Sequence, residues 1–147
     1  MAVISFVFDR ILAERIGKIP NKVNVNHGFN IEDIEKIDLT SLGDKRPALK
    51  INFNFNVVYE PNIGQINMKG NVTYIEKEEE IKKLESQWKK EKKLPASVTQ
   101  EVANAILFRA NIKALMLSQD LNLPPQIQLP KVVPAEPDDV QKGNYIG

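Results

Sequence analysis

The spacing of apolar and polar positions changes partway along the chain, and that change sets the expected fold. From Leu49 to Tyr59 apolar side chains recur at every second position: Leu49, Ile51, Phe53, Phe55, Val57 and Tyr59, with Lys50, Asn52, Asn54 and Asn56 between them. Such alternation predicts a strand with one covered face. Pro61-Asn62-Ile63-Gly64 reads as a hairpin loop. Gln65 to Ile75 is the returning strand, with Ile66, Met68, Val72 and Tyr74 on one face and Asn67, Lys69, Asn71 and Thr73 on the other. Upstream, Val3 to Ile16 is apolar on both faces of a strand, Ile4, Phe6 and Phe8 on one and Val3, Val7 and Ile11 on the other. A strand of that kind is covered on both sides or lies at an interface. Lys22 to Leu39 predicts a long bent strand, with Val23, Val25, His27, Phe29 and Ile31 in one phase and a bulge near His27-Gly28. The stretch Gly43 to Pro47 predicts a turn.

After Glu76 the period becomes helical. Ile81, Leu84 and Trp88 form a narrow stripe, with acids (Glu76, Glu78, Glu79, Glu80) ahead of bases (Lys89, Lys90, Lys92, Lys93). That order suits the helix dipole, and Glu78–Lys82, Glu79–Lys83 and Glu85–Lys89 have the favourable i, i+4 sense. Leu94-Pro95 breaks the helix. Ser97 is the expected N-cap of a second helix running to about Leu121. That helix is apolar around most of its circumference, so it needs burial on two sides. One sheet covers one side only. The stretch from Asn122 on carries Pro124, Pro125, Pro130, Pro134 and Pro137. It predicts a docked extended segment and then a flexible tail. The expected architecture is α+β: a four-stranded antiparallel sheet with the charged helix and the long C-terminal helix on one face, a single domain over 1–133 and a tail over 134–147.

Composition narrows the chemistry. A chain of 147 residues with 42% hydrophobic and 27% charged residues supports one folded domain. Twenty Lys+Arg against 19 Asp+Glu give a net charge of +1, which supplies no general reason to bind nucleic acid or an anionic membrane. Cysteine is absent and there is one histidine, which removes disulfides, thiol nucleophiles and most metal sites. The first residues lack the basic start and small-residue cleavage site of a signal peptide, and no apolar run approaches the ~20 residues of a spanning helix. The expected compartment is the cytoplasm.

No phosphate-binding loop, nucleophile elbow or zinc-protease motif occurs. His27 falls in the apolar phase of a strand and reads as structural. The acids at Glu76 to Glu80 and the lysines at Lys89 to Lys93 read first as solvated helix ends, although the lysines also suit a phosphate or an acidic partner. The Asn-rich strand faces (Asn52, Asn54, Asn56, Asn67, Asn71) suit either a neutral docking face or the general abundance of Asn. Phe29, Tyr59 and Trp88 are candidates for an aromatic groove that takes extended peptides, against ordinary core packing for each.

The order of elements resembles SecB, the bacterial export chaperone, and its SecB-like relatives. The local match lies in Ala105-Ile106-Leu107-Phe108-Arg109 through Met116 to Leu121, followed by Leu123-Pro124-Pro125-Gln126-Ile127-Gln128-Leu129-Pro130-Lys131-Val132. Ile66 to Ile75, with Gly70, is similar to the family's fourth strand. Phe108 is followed by Arg109-Ala110 in place of the family's Pro-Tyr, and the charged helix is longer than the family's linker. The polar face carries Asn and Lys where the family presents acids to the motor ATPase SecA, which counts against SecA docking. The resemblance implies a non-enzymatic holdase without cofactors. It would bind unfolded polypeptides in protein export or alongside a toxin–antitoxin system. The alternative is an adaptor of the same fold with one defined partner. The resemblance also implies dimers or tetramers formed through the first strand and the long helix, with Ile4, Phe6, Phe8, Ala103, Leu107, Ala110, Ala114 and Leu117 at the interface. Client contacts are expected at Phe29, Tyr59, Trp88 and Met116.

Overall fold

A computed structural model of the chain describes residues 2–39 and 46–134. Residues 43–45 of the turn expected at Gly43 to Pro47, and all but the first residue of the tail expected at 134–147, lie outside the described residues. Four strands are followed by two helices: β1 (Ala2–Arg15), β2 (Asn24–Asp38), β3 (Pro47–Glu60), β4 (Gly64–Ile75), α1 (Glu78–Glu91) and α2 (Ala96–Asp120). The strands form one antiparallel sheet in the order β1-β4-β3-β2, so β1 and β2 are its edges. Both helices pack on one face. α1 lies against β2 and β3, and α2 against β1 and β4. The α+β architecture expected from the sequence is the one observed.

The alternating strands behave as their pattern dictates. Phe53, Phe55, Val57 and Tyr59 of β3 and Ile66 and Met68 of β4 are fully buried under the helices. Burial of each such side chain stabilises the fold by roughly 1.5–3 kcal/mol. The edge strands depart from a simple alternation. In β1 the register shifts between Val3 and Ser5 and again between Phe8 and Arg10. Each shift inserts one residue and flips the phase. Val3, Phe6, Phe8 and Ile11 consequently pair with Tyr74, Val72, Gly70 and Met68, all on the helix-covered face. The expected division of β1 into two equally apolar faces is thereby corrected. Phe6 and Phe8 do not share an outward face with Ile4, which sits at the first irregularity and is exposed. β2 has one shift, between Ile31 and Asp33 rather than at His27-Gly28. It puts Ile31 opposite Phe53 and Ile34 opposite Ile51, so both face the core despite their odd spacing.

The stripe of α1 is buried at Ile81, Leu84 and Trp88. The Glu78–Lys82 and Glu85–Lys89 pairs form at 3.8 and 4.0 Å, and Lys83 reaches Glu80 at 3.4 Å. Lys92, in the left-handed region with φ 54°, ends the helix, its N–H donating to the Trp88 carbonyl at 2.9 Å. Ser97 is not the N-cap of α2. Pro95 takes that position with extended backbone, and Ser97 is already helical. The buried face of α2 runs at i, i+4 through Val98, Val102, Ile106, Ala110, Ala114 and Ser118.

After α2 the chain turns back at Asn122 and docks as expected. Leu123 is buried, and Gln126 Nε2 donates to the Asn111 carbonyl at 2.8 Å. The Tyr59 hydroxyl donates to the Pro124 carbonyl at 2.7 Å. Burial pushes the Tyr59 phenol above its ordinary value of 10.0. Tyr74 moves the same way through burial, with lesser contributions from Glu101, Glu76 and Glu80. Both phenols hold their protons more tightly folded than unfolded. Their stabilisation is therefore complete below pH 10 and is lost as the pH rises through the folded values. Urea unfolding is expected to show stability that falls above about pH 10. Tyr59→Phe should lower stability by about 1 kcal/mol at neutral pH, because the Pro124 carbonyl loses its donor, and should weaken the alkaline loss. An unchanged alkaline profile in Tyr59→Phe would assign that loss to other groups.

Candidate functional site

Three surfaces carry the candidate residues. The first is a groove of about 410 Å³ at the β2 edge, lined by Phe29, Asn30 and Ile31 of β2, Trp88 of α1, and Lys92, Lys93, Leu94 and Thr99. Phe29 and Ile31 sit on the core face of the sheet, opposite Phe55 and Phe53, whereas Asn30 lies on the open face opposite Asn54. Three consecutive residues therefore line the groove, and it extends along the edge of β2, the outer strand of the sheet among the described residues. Trp88 supplies a wall. Its ring lies 5.7 Å from Lys92 Nζ, and its buried Nε1–H has no acceptor among the described residues. Phe29 is half-buried and Trp88 is 7% exposed, so the groove is lined by partly accessible aromatic surface on a firm base.

The second surface is the outer side of α2. Phe108, Ile112 and Met116 recur at i, i+4 and are 67%, 47% and 53% exposed. At one end, Phe108 lines a depression with Ile4, Phe6, Ala105 and Arg109, where the Arg109 guanidinium lies 5.0 Å from the Phe6 ring. At the other, Ile112, Leu115 and Met116 meet Leu123, Pro125 and Leu129 of the docked segment around a depression of about 530 Å³. The exposed apolar stripe on α2 is continued by Ile4 on the edge strand β1.

The third surface is the open face of the sheet. Its side chains bond mainly to one another: Asn67 to Asn54 at 2.8 Å, Arg10 to Asn67 at 3.2 Å, Asn71 to Asp9 at 2.9 Å and Lys69 to Glu32 at 3.6 Å. Cross-strand bonding of this kind satisfies polar groups within the sheet. At one end a small apolar cluster of Leu39, Ala48 and Ile75, with Ala2 and Ile37, covers the same face.

The structure redistributes the residues expected to act. Phe29 and Trp88 come together in the β2 groove, whereas Met116 lies on α2 in a separate depression. Tyr59 is fully buried and bonded to Pro124, so its place among the client contacts is corrected to a core position. Ala110 and Ala114, expected at a subunit interface, are fully buried inside the single chain. Phe6, Phe8 and Leu107 are partly buried against the chain's own core, Ala103 and Leu117 are half-buried, and Ile4 is 46% exposed. Phe108 and Ile112 were not among the expected interface residues, yet they are the ones presented outward. Their signal was the i, i+4 spacing with Met116. His27 is exposed on β2, opposite Val57. Among the described residues no three His, Asp or Glu side chains gather as metal ligands. No helix there is long and apolar enough to cross a membrane.

The fold is of the SecB-like α+β kind. A SecB-like chaperone of Mycobacterium tuberculosis, solved in complex with a ChAD peptide from the HigA1 antitoxin, superposes with a TM-score of 0.53 over 88% of each chain at 10% identity. The likeness is one of fold. No protein-family model matches the sequence, and no curated protein is significantly similar to it.

Proposed function

We propose that the protein is a non-catalytic, SecB-like chaperone of the cytoplasm that holds non-native polypeptide in the β2-edge groove. The observation that carries this reading is the groove itself. Apolar side chains (Phe29, Ile31, Trp88, Leu94) flank a strand edge that pairs with no further strand among the described residues. An extended segment laid there pairs its backbone with β2 and buries alternate side chains against the aromatic wall. Recognition through backbone and loosely matched apolar contacts is tolerant of sequence, as a holdase requires, and export and toxin–antitoxin control would both draw on it. In the same reading the protein self-associates through the β1 edge and the Phe108, Ile112 and Met116 stripe.

Trp88 is the single tryptophan in the chain, so its emission reports on the groove directly. Several unrelated denatured proteins are expected to be kept from aggregating at near-stoichiometric ratio, and an apolar peptide free of tryptophan is expected to shift Trp88 emission. Failure to suppress any aggregation, together with unmoved emission, would sink the holdase. The antitoxin peptide on the Mycobacterium protein favours a second reading, an adaptor for one defined partner. Binding of a single folded protein, with no unfolded chain held, would select that reading.

A further inference from the structure

The β2-edge groove has a charge as well as an apolar base, and the charge has one sign. Lys92 and Lys93 line it, and among the described residues no carboxylate does. Neither lysine makes an ion pair among the described residues. Three acids near it in sequence have other partners: Glu85 pairs with Lys89 at 4.0 Å, Glu91 accepts from Gln87 at 3.5 Å, and Glu32 pairs with Lys69 at 3.6 Å across the open face. The bases offsetting the helix dipole, Lys89 and Lys90, occupy the last turn of α1, whereas Lys92 and Lys93 lie beyond it and are free to act on a ligand. The left-handed backbone at Lys92 turns the chain there, and its ammonium is held near the Trp88 ring, 5.7 Å from the centroid. Aromatic surface and cation are thus fixed side by side.

We infer that the groove selects apolar segments flanked by acidic residues. The inference rests on the polypeptide-binding reading above and adds the class of sequence to it. An apolar side chain of the bound segment contacts Phe29 and Trp88 while an adjacent Asp or Glu carboxylate meets Lys92 or Lys93. A basic flank in the same place meets two unpaired ammonium groups and is rejected.

The test uses the full-length protein and three tryptophan-free peptides that share one central run of Leu, Phe and Val and differ only in flanking Asp, Ser or Lys pairs. Binding is read from Trp88 emission. At low ionic strength the Asp peptide is expected to bind about fivefold tighter than the Ser peptide, the yield of two exposed ion pairs, and the Lys peptide weaker than both. Raising salt to about 0.5 M should collapse the three affinities together, since exposed charges are then screened. This titration needs no substitution. The double variant Lys92→Glu, Lys93→Glu should invert the order of the Asp and Lys peptides. Equal affinities for all three peptides at low salt would overturn the inference and leave polypeptide binding standing. No binding by any of them would overturn both. A change in Trp88 emission on concentrating the protein alone, with a doubling of mass, would assign the groove to a second copy and overturn the inference.

Discussion

Ala110→Glu is expected to unfold the protein or cost it at least about 4 kcal/mol, whereas Phe108→Glu, two residues away on α2, should cost no more than about 0.5 kcal/mol. The difference follows from where the side chains stand. Ala110 is fully buried against its own sheet, in the stripe that runs from Val98 to Ser118. A glutamate there brings four heavy atoms beyond Cβ and a charge into a fully buried position. Removing an ion from water costs several kcal/mol even after relaxation, against a total stability of about 5–15 kcal/mol for a domain. Phe108 is 67% exposed, and glutamate is a good helix former. Its replacement should register in assembly instead. Sedimentation of the wild type is expected to show an oligomer at micromolar concentration, and Phe108→Glu a monomer with unchanged circular dichroism. A wild-type monomer would remove the assembly half of the proposal. An oligomer that survives Phe108→Glu would move the interface elsewhere.

Gly70→Ala is expected to cost about 3 kcal/mol, or roughly 10 °C in Tm, and Gly28→Ala nothing or a slight gain. A β-carbon on Gly70 would collide with the Val7 carbonyl oxygen and lie 2.8 Å from the tip of the Phe53 ring. The carbonyl is backbone and cannot swing aside, so β1 and β4 would have to separate where they pair Phe8 with Gly70. The space left by Gly70 is what admits the Phe53 ring, which stacks at 5.2 Å from Phe6 and meets Phe8 edge-on at 6.4 Å. Gly28, at the middle of β2, has nothing within 4 Å of such an atom. Urea unfolding of both variants separates the two cases. Equal stabilities would show that β1 can shift on β4 at little cost, contrary to the close packing seen here.

The central hairpin was legible because β3 and β4 each keep one phase: buried and open positions can be read directly from Leu49 to Tyr59. The same alternation sets Tyr59 in phase with Phe53 and Phe55, so its burial was available from sequence even though it is expected among the client contacts there. The edge strands were less legible. A bulge adds one residue without any compositional mark, so the shifts near Ile4, Asp9 and Glu32 invert the phase unannounced. The covered face of α2 was hidden for a different reason. With Ile, Leu, Phe, Met and Ala around most of its circumference, periodicity does not say which side meets the sheet. The alanines at 110 and 114 mark the sheet side, and the bulky Phe108, Ile112 and Met116 mark the outer one. The groove joins residues from β2, α1 and the turn after Lys92, and its two aromatic members were identifiable singly. Their proximity depends on α1 crossing β2 and β3, which only the tertiary fold supplies.

The strand order β1-β4-β3-β2 places the two edges about 14 Å apart, three strand spacings. A copy recruited through β1 and α2 leaves the β2 groove of each partner open. Under the proposed assembly valency would grow with subunit number, each added subunit contributing one more groove without consuming any. A long unfolded chain caught at one groove would meet the next at an effective concentration in the millimolar range. Weak individual grooves then suffice for avid retention of long chains. Short peptides, and clients that have folded away their apolar segments, span one groove or none and leave quickly. The geometry of the edges would thereby sort ligands by their length in the unfolded state.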